Sequence, residues 1–354
     1  MDYPLRQLYC YLTEGCNLAC RHCWLAPKLD PDATRYPILP VETFETAVRE
    51  AKPLGLAAVK LTGGEPLLHP RVEQFLETIR REGLKLSMET NGTLCTPALA
   101  TAIARVPGAF VAVSMDGTDA ATHEWVRGVP GSFARAREGI RRLVAAGIRP
   151  QIIMSLMRAN ADQAAAMIPL AESWGASSVK FNTLQPTARG KQLHAKDETL
   201  GISELIALGR HVEHRLAPTT KLRLVFDYPQ AFRGLGRIAD PGGCGVCGIK
   251  GILGLLAGGD YALCGIGEHI PEMVFGAIGR DALADVWRDN PMLLAIREGL
   301  PDRLTGICAA CLMRKRCLGS CIAQNYYRSG DLFAPHWFCE EADAQGVFPA
   351  SRRR

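Results

Sequence analysis

Three cysteines, Cys16, Cys20 and Cys23, fall within eight positions in the stretch "CNLACRHCW". A Cys-x3-Cys-x2-Cys loop can hold three irons of a [4Fe–4S] cluster through thiolates, leaving the fourth iron open to an exogenous ligand. The same residues also suit a zinc loop completed by His22, although His22 is wedged between two ligands and the spacing is unusual for zinc. Eight more cysteines crowd the last third of the chain: Cys244, Cys247, Cys264, Cys308, Cys311, Cys317, Cys321 and Cys339. By spacing alone, these fit two structural zinc sites or further clusters. A third motif, "TGGEP" from Thr62 to Pro66, combines Gly63 and Gly64, which allow close backbone approach and expose carbonyls, with the anionic acceptor Glu65. Together they suit a cationic ammonium. Taken by itself, the motif also reads as a glycine-rich turn.

The bulk of the chain sets the frame for this chemistry. Its 354 residues are enough for a substantial core and two domains. An apolar fraction of 47% and a charged fraction of 22% are those of an ordinary globular protein. A net charge of +5 is too small for its size to point to nucleic acid, and the terminal "SRRR" reads as a solvated tail. Met1 to Leu12 has no apolar run of signal-peptide type, and "GIKGILGLLAGG" is too short and glycine-rich to span a bilayer. The expectation is a cytoplasmic protein without a membrane partner, whose clustered thiols are metal ligands rather than disulfides.

Elements that position these residues are visible between the clusters. Strand-like runs at "LYCYL", "AAVKLT", "LKLSMET", "AFVAVSMD", "IRPQIIMSL" and "SSVKFNTL" alternate with helix-like segments. Pro70 marks a helix start, and Gly83, Gly147 and Gly175 mark helix ends. Six strands with a helix after each of the first five predict βαβ units and a parallel sheet, as an open doubly wound sheet or a barrel. In either form ligand chemistry belongs at the carboxyl ends of the strands. The first cysteines, "TGGEP", "ETNG", "SMDG", Ser155 and "FNTLQP" all lie there. Residues 190–237 read as a connector with one helix and a short strand at "LRLVF". One long helix, "RDALADVWRDNPMLLAIREG", is expected beyond it.

The front cysteines followed by "TGGEP" one βα unit later resemble the signature of radical S-adenosylmethionine enzymes. The resemblance implies a partial (β/α)6 TIM-like barrel over residues 1–190, with a [4Fe–4S] cluster on Cys16, Cys20 and Cys23. It also implies S-adenosylmethionine bound through Gly63, Gly64, Glu65, Ser114, Arg127 and Leu184. Ser114 and Asp116 match an S-x-D motif placed near the ribose and the methionine carboxylate, Arg127 would neutralise that carboxylate, and Leu184 would pack on adenine. The order Gly259-x4-Cys264 and Cys308-x2-Cys311-x5-Cys317-x3-Cys321, then Cys339, resembles the SPASM domain of peptide and protein maturases, here over residues 238–354 after a connector at 191–237. Carried over, Cys308, Cys311, Cys317 and Cys339 hold a distal cluster. Cys247, Cys264 and Cys321 hold a proximal one, completed by Cys244 if it reaches. That makes three [4Fe–4S] clusters. Cys10 and Cys95 have no place in the pattern and read as core thiols.

What the resemblance implies for function is generation of a 5′-deoxyadenosyl radical that modifies a ribosomally made precursor peptide by cross-linking, epimerisation or backbone excision. Action on a haem precursor or other small molecule is the alternative. Sulfatase maturation is disfavoured, because Gly265 stands where those enzymes carry an acid; Glu268 and His269 lie close by. An electron-transfer iron–sulfur protein is the non-enzyme alternative, against which "TGGEP" argues. Because the signature starts at Cys16, a separate leader-binding protein is expected, together with an electron donor such as flavodoxin or ferredoxin.

Overall fold

Alternation along the first strand sets the architecture. In β1 (Gln7–Tyr11), Leu8 and Cys10 are fully buried beneath the helices, while Tyr9 and Tyr11 face the opposite, concave side. The same alternation recurs in β2 (Ala58–Thr62), β3 (Lys85–Thr90) and β6 (Ser178–Thr183), whereas β4 (Phe110–Ser114) and β5 (Gln151–Leu156) each bury three consecutive residues. In the computed structural model, which describes residues 3–29, 35–239 and 246–354, these strands pair in chain order and all in parallel. The connecting helices cover the outer face: α1 (Val41–Ala51), α2 (Val72–Arg81), α3 (Pro97–Ala104), α4 (Ala120–Arg127), α5 (Ser132–Ala145) and α6 (Ala164–Ser173). In α1 the buried side chains Val41, Phe44, Ala47, Val48 and Ala51 keep helical spacing, so one stripe seals the sheet. The result is the partial β/α barrel expected, and the core lies between strands and helices.

Several elements differ from the sequence reading. The connector segment "LRLVF" is a full member of the sheet, β7 (Arg223–Asp227), parallel to β6. On the other side β8 (Ile252–Leu255) pairs in parallel with β1, and β9 (Asp260–Ala262) and β10 (Val274–Ala277) continue antiparallel. The sheet order is therefore β10-β9-β8-β1-β2-β3-β4-β5-β6-β7. The cysteine-rich region is joined to the barrel through β1 rather than appended to it. The long helix expected near residue 290 is two, Leu283–Asp289 and Pro291–Gly299. Pro291 drives Asn290 out of the helical region, and the Asn290 side chain then caps the second helix through the Met292 and Leu293 N–H groups. The terminal "SRRR" is not a solvated tail. Leu312 N–H donates to Arg352 O at 2.8 Å and Arg354 N–H to Ala310 O at 2.9 Å, and Cys311 bridges Arg353.

Candidate metal centres and cofactor site

The loop after β1 carries Cys16, Cys20 and Cys23 across the carboxyl ends of the strands. It is held by backbone bonds to the end of α4, Ala19 N–H to Arg127 O at 3.0 Å and Arg21 N–H to Val126 O at 2.9 Å. The Leu18 N–H and an Arg127 Nη1 donor lie 3.5 and 3.4 Å from the Cys16 and Cys20 sulfurs. Burial pushes the Cys16 thiol up to about 12, with Glu65 and the Cys20 and Cys23 sulfurs adding to it. Cys23 is raised by burial and then by Cys20. Burial thus favours the neutral thiol at Cys16 and Cys23, and thiolates there would need the positive charge of bound iron beside them.

Two further thiol sets come together from distant parts of the chain. Cys308, Cys311, Cys317 and Cys339 line one small apolar cavity with Ile307 and Phe348. Within it the Cys339 thiol donates to Cys308, which lowers Cys308 and raises Cys339. Cys317 is pushed up to about 11 by burial and Cys308. Cys247, Cys264 and Cys321 line a larger cavity of about 450 Å³. Burial and then Cys321 raise both Cys247 and Cys264, the latter to about 12. Cys244 lies outside the described residues. Cys10 and Cys95 are buried in the main core, as expected of packing thiols.

A single metal ion gathers its ligands within about 2.3 Å of one point, whereas a cluster spreads thiolates over several irons. Among the described residues no three His, Cys, Asp or Glu side chains converge tightly enough for one ion. His22 turns its Nε2 toward Asp116 at 3.8 Å, and burial lowers it to about 4, so it is neutral.

The remaining cofactor candidates are also at this rim. Gly63 adopts φ 130°, and any Cβ there would come within 2.9 Å of Thr13 O. A Cβ on Gly64 would run into the Gly15 carbonyl. Only glycine lets this turn press against the cysteine loop, and both residues line a cavity of about 240 Å³ with Lys28, Glu268 and His269. Glu65 is 1% exposed, and its carboxylate is already held. It accepts from Leu67 N–H at 3.0 Å, Thr90 Oγ1 at 2.6 Å and Asn91 N–H at 2.8 Å. Burial nevertheless raises it. Its visible task is to tie the β2 and β3 loops together, so Thr90 and Asn91 are more than turn residues. Arg127 ends α4 and pairs with the fully buried Asp116 at 2.8 Å, while Asp116 Oδ1 accepts from Ser155 N–H at 2.7 Å. Ser114 ends β4 just before Asp116. Leu184 packs with Val126, Met157 and Leu193 in a small apolar cluster apart from the main core.

Two contacts escaped the sequence reading. Arg189, from the helix Arg189–Ala195 beyond β6, donates to Cys20 O at 3.2 Å. Tyr11 OH accepts from Gly265 N–H at 2.6 Å, and a Cβ on Gly265 would overlap the Tyr11 ring. An acid at position 265 therefore has no room here. Inside the barrel, Lys60 pairs with Glu89 at 2.7 Å and stacks 4.9 Å from the Tyr9 ring, and Lys180 stands 3.6 Å from Asp227. The concave face is polar where a sealed barrel would be apolar.

The model of the radical SAM superfamily matches residues 10–167. The AdoMet-dependent heme synthase of Methanosarcina barkeri is 28% identical over 339 residues, covering 93% of this chain and 94% of that protein. The mycofactocin maturase MftC of Mycobacterium tuberculosis is 25% identical over 355 residues, covering 96% and 84%. In fold, the chain is similar to Streptococcus suis SuiB solved with S-adenosylmethionine, with a TM-score of 0.73 at 18% identity over 96% of this chain and 77% of that one.

Proposed function

With residues 10–167 forming a radical SAM domain, we propose that this chain is a peptide maturase that binds S-adenosylmethionine and uses it to modify a precursor peptide. The observation that carries the reading is the Gly63–Gly64 turn pressed against the loop of Cys16, Cys20 and Cys23, in a chain whose other two thiol sets each line a cavity. Cys16, Cys20 and Cys23 would hold a [4Fe–4S] cluster, which would supply the electron for reductive cleavage of S-adenosylmethionine. The protein's own groups bind and orient. The Gly63 and Gly64 carbonyls receive the ammonium of the methionine end, Arg127 faces its carboxylate, Ser114 the ribose, and Leu184 the adenine. Glu65 fixes the glycine turn. Two auxiliary clusters are assigned to Cys308, Cys311, Cys317 and Cys339, and to Cys247, Cys264 and Cys321 with Cys244 as a candidate fourth ligand. We place residues 1–190 as the six-stranded barrel domain, 191–237 as a connector whose strand β7 extends the barrel sheet, and 238–354 as the auxiliary domain.

A separate leader-binding protein and an electron donor such as flavodoxin or ferredoxin are the proposed partners, in the cytoplasm; among the described residues no helix is long and apolar enough to cross a membrane. MftC, matched over nearly the whole chain, is named as a maturase, and SuiB has been solved with the precursor peptide SuiA. A second reading, action on a haem precursor, is favoured by the heme synthases, which are 28–29% identical over the same span. Sulfatase maturation loses support because the Tyr11 ring fills the space beside Gly265. The test is anaerobic incubation with S-adenosylmethionine, reductant and either candidate precursor peptides or an iron coproporphyrin, followed by mass spectrometry. A mass change confined to peptide supports the proposal; a change confined to the porphyrin selects the second reading.

A further inference from the structure

Lys60 is a charged side chain at an inward position of β2, where barrel strands usually present apolar groups. It stands opposite Tyr9 in the register of β1 with β2, and its ammonium lies 4.9 Å from the centre of the Tyr9 ring. Glu89, from β3, holds the same ammonium at 2.7 Å. These two contacts fix where the charge sits. Stability does not require the pair. The Glu89 side chain is 45% exposed in the cavity and can be solvated there, and an interior ion pair is often no more stabilising than apolar packing. The cavity that Lys60 lines is the one lined by Cys247, Cys264 and Cys321. Tyr9 lines it too; burial raises its hydroxyl first, and all three thiols add to that. Burial also raises the Cys247 and Cys264 thiols, and Lys60 is the one side chain that opposes this at both. Glu89 and Lys180 line the same cavity, yet neither is among the main influences on these thiols. The positive end of the ion pair is thus the end nearer the sulfurs.

We propose that Lys60 sets the reduction potential of the cluster assigned to Cys247, Cys264 and Cys321, holding it above the value these ligands would give alone. A cluster bound by thiolates is a net anion, and its potential follows the net charge and hydrogen bonds around it. Reduction adds one electron and no proton, so the negative charge grows by one. An ammonium fixed beside it favours the reduced form, and an interior of low dielectric keeps that interaction strong. Glu89 offsets the effect only in part, because it lies on the far side of the ammonium from the sulfurs. Lys60 acts through the cluster and not on a substrate, as a positioning residue. The inference rests on the auxiliary-cluster assignment above and is independent of whether the substrate is a peptide or a porphyrin.

The test is a potentiometric titration with dithionite, followed by electron paramagnetic resonance, of the full-length reconstituted protein carrying Cys16→Ala, Cys20→Ala and Cys23→Ala. Two clusters are expected to remain. The one on Cys308, Cys311, Cys317 and Cys339 lies in a cavity that Lys60 does not line, so it serves as the internal reference. Adding Lys60→Met is expected to lower the potential of the other by about 59 mV, a tenfold change in a one-electron equilibrium. The pair Lys60→Met and Glu89→Gln removes both charges without leaving a carboxylate unpaired, and it should lower the potential as well. Lys60→Arg keeps the charge and should stay at the starting value. A shift in Lys60→Arg as large as in Lys60→Met, an unmoved potential in the paired variant, equal shifts in both clusters, or loss of the second cluster's iron in both Met variants would overturn the proposal. The titration needs neither S-adenosylmethionine nor substrate, which separates the two claims. Iron for both clusters with an unmoved potential removes only the part of Lys60, whereas iron for one cluster before any change at Lys60 removes the auxiliary-cluster assignment itself.

Discussion

Arg127 sits at the point where the site and the fold depend on the same side chain. The residue is 6% exposed, and its guanidinium reaches both the Asp116 carboxylate and the Cys20 sulfur. Arg127→Met leaves a fully buried carboxylate unpaired, and the expected loss is about 3–5 kcal/mol in chemical denaturation. Arg127→Lys keeps the charge, but one ammonium cannot span both partners as the planar fork does, so it should recover stability only in part. Equal stability of Met and Lys variants would show that the ion pair is not what holds α4 to the cysteine loop. Glu268 gives a pH-dependent test. Burial, and then the Glu14 carboxylate, push it up to about 7 from an ordinary 4.5. A raised carboxyl contributes stability that is complete below about 4.5 and is lost as pH rises through about 7. Glu268→Gln should therefore flatten the melting temperature over that window and exceed the parent above pH 7; parallel curves would contradict it. The cysteine sets were legible at this scale because thiol spacing is a local signal. The partners of Glu65 were not, because Thr90 and Asn91 meet it from another strand, 25 and 26 positions away.

Between elements, one contact that joins the auxiliary region to the barrel, beside the pairing of β8 with β1, is Tyr11 of β1 with the 3-10 turn Gly265–Glu268. Nearby, the His269 ring bonds Trp24 O at 2.7 Å, so the same turn touches the cysteine loop. Tyr11→Phe strands the buried Gly265 N–H, at a cost of roughly 1–3 kcal/mol. The expected result is a lower melting temperature and faster amide exchange at Gly265 and Ile266, with the distant α5 unaffected. Uniform exchange across the chain would contradict a local role. Six strands and five of the barrel helices were readable from periodicity and glycine stops. The helix α4 was missed because eight residues carry barely two turns of pattern. The place of β7 in the sheet is not legible in the sequence, because it lies in its pairing with β6 and not in any local pattern.

Across the whole molecule, ten cysteines among the described residues divide into three groups that the sequence separates and the sheet order reunites. β8 returns beside β1, which carries Cys247 and Cys264 to the barrel, and the backbone pairing of residues 310–312 with 352–354 closes the last group. Three clusters on these groups correspond to about twelve irons per chain. The central claim is that the first group does the cleavage chemistry and the others do not hold its cofactor. The direct measurement is 5′-deoxyadenosine formed from S-adenosylmethionine under dithionite, by the anaerobically reconstituted protein and by its Cys16→Ala, Cys20→Ala, Cys23→Ala triple variant. The account predicts formation by the parent and none by the variant, which should retain about two thirds of the iron. Iron-replete parent protein that forms no 5′-deoxyadenosine, or a triple variant that still forms it, would contradict the account.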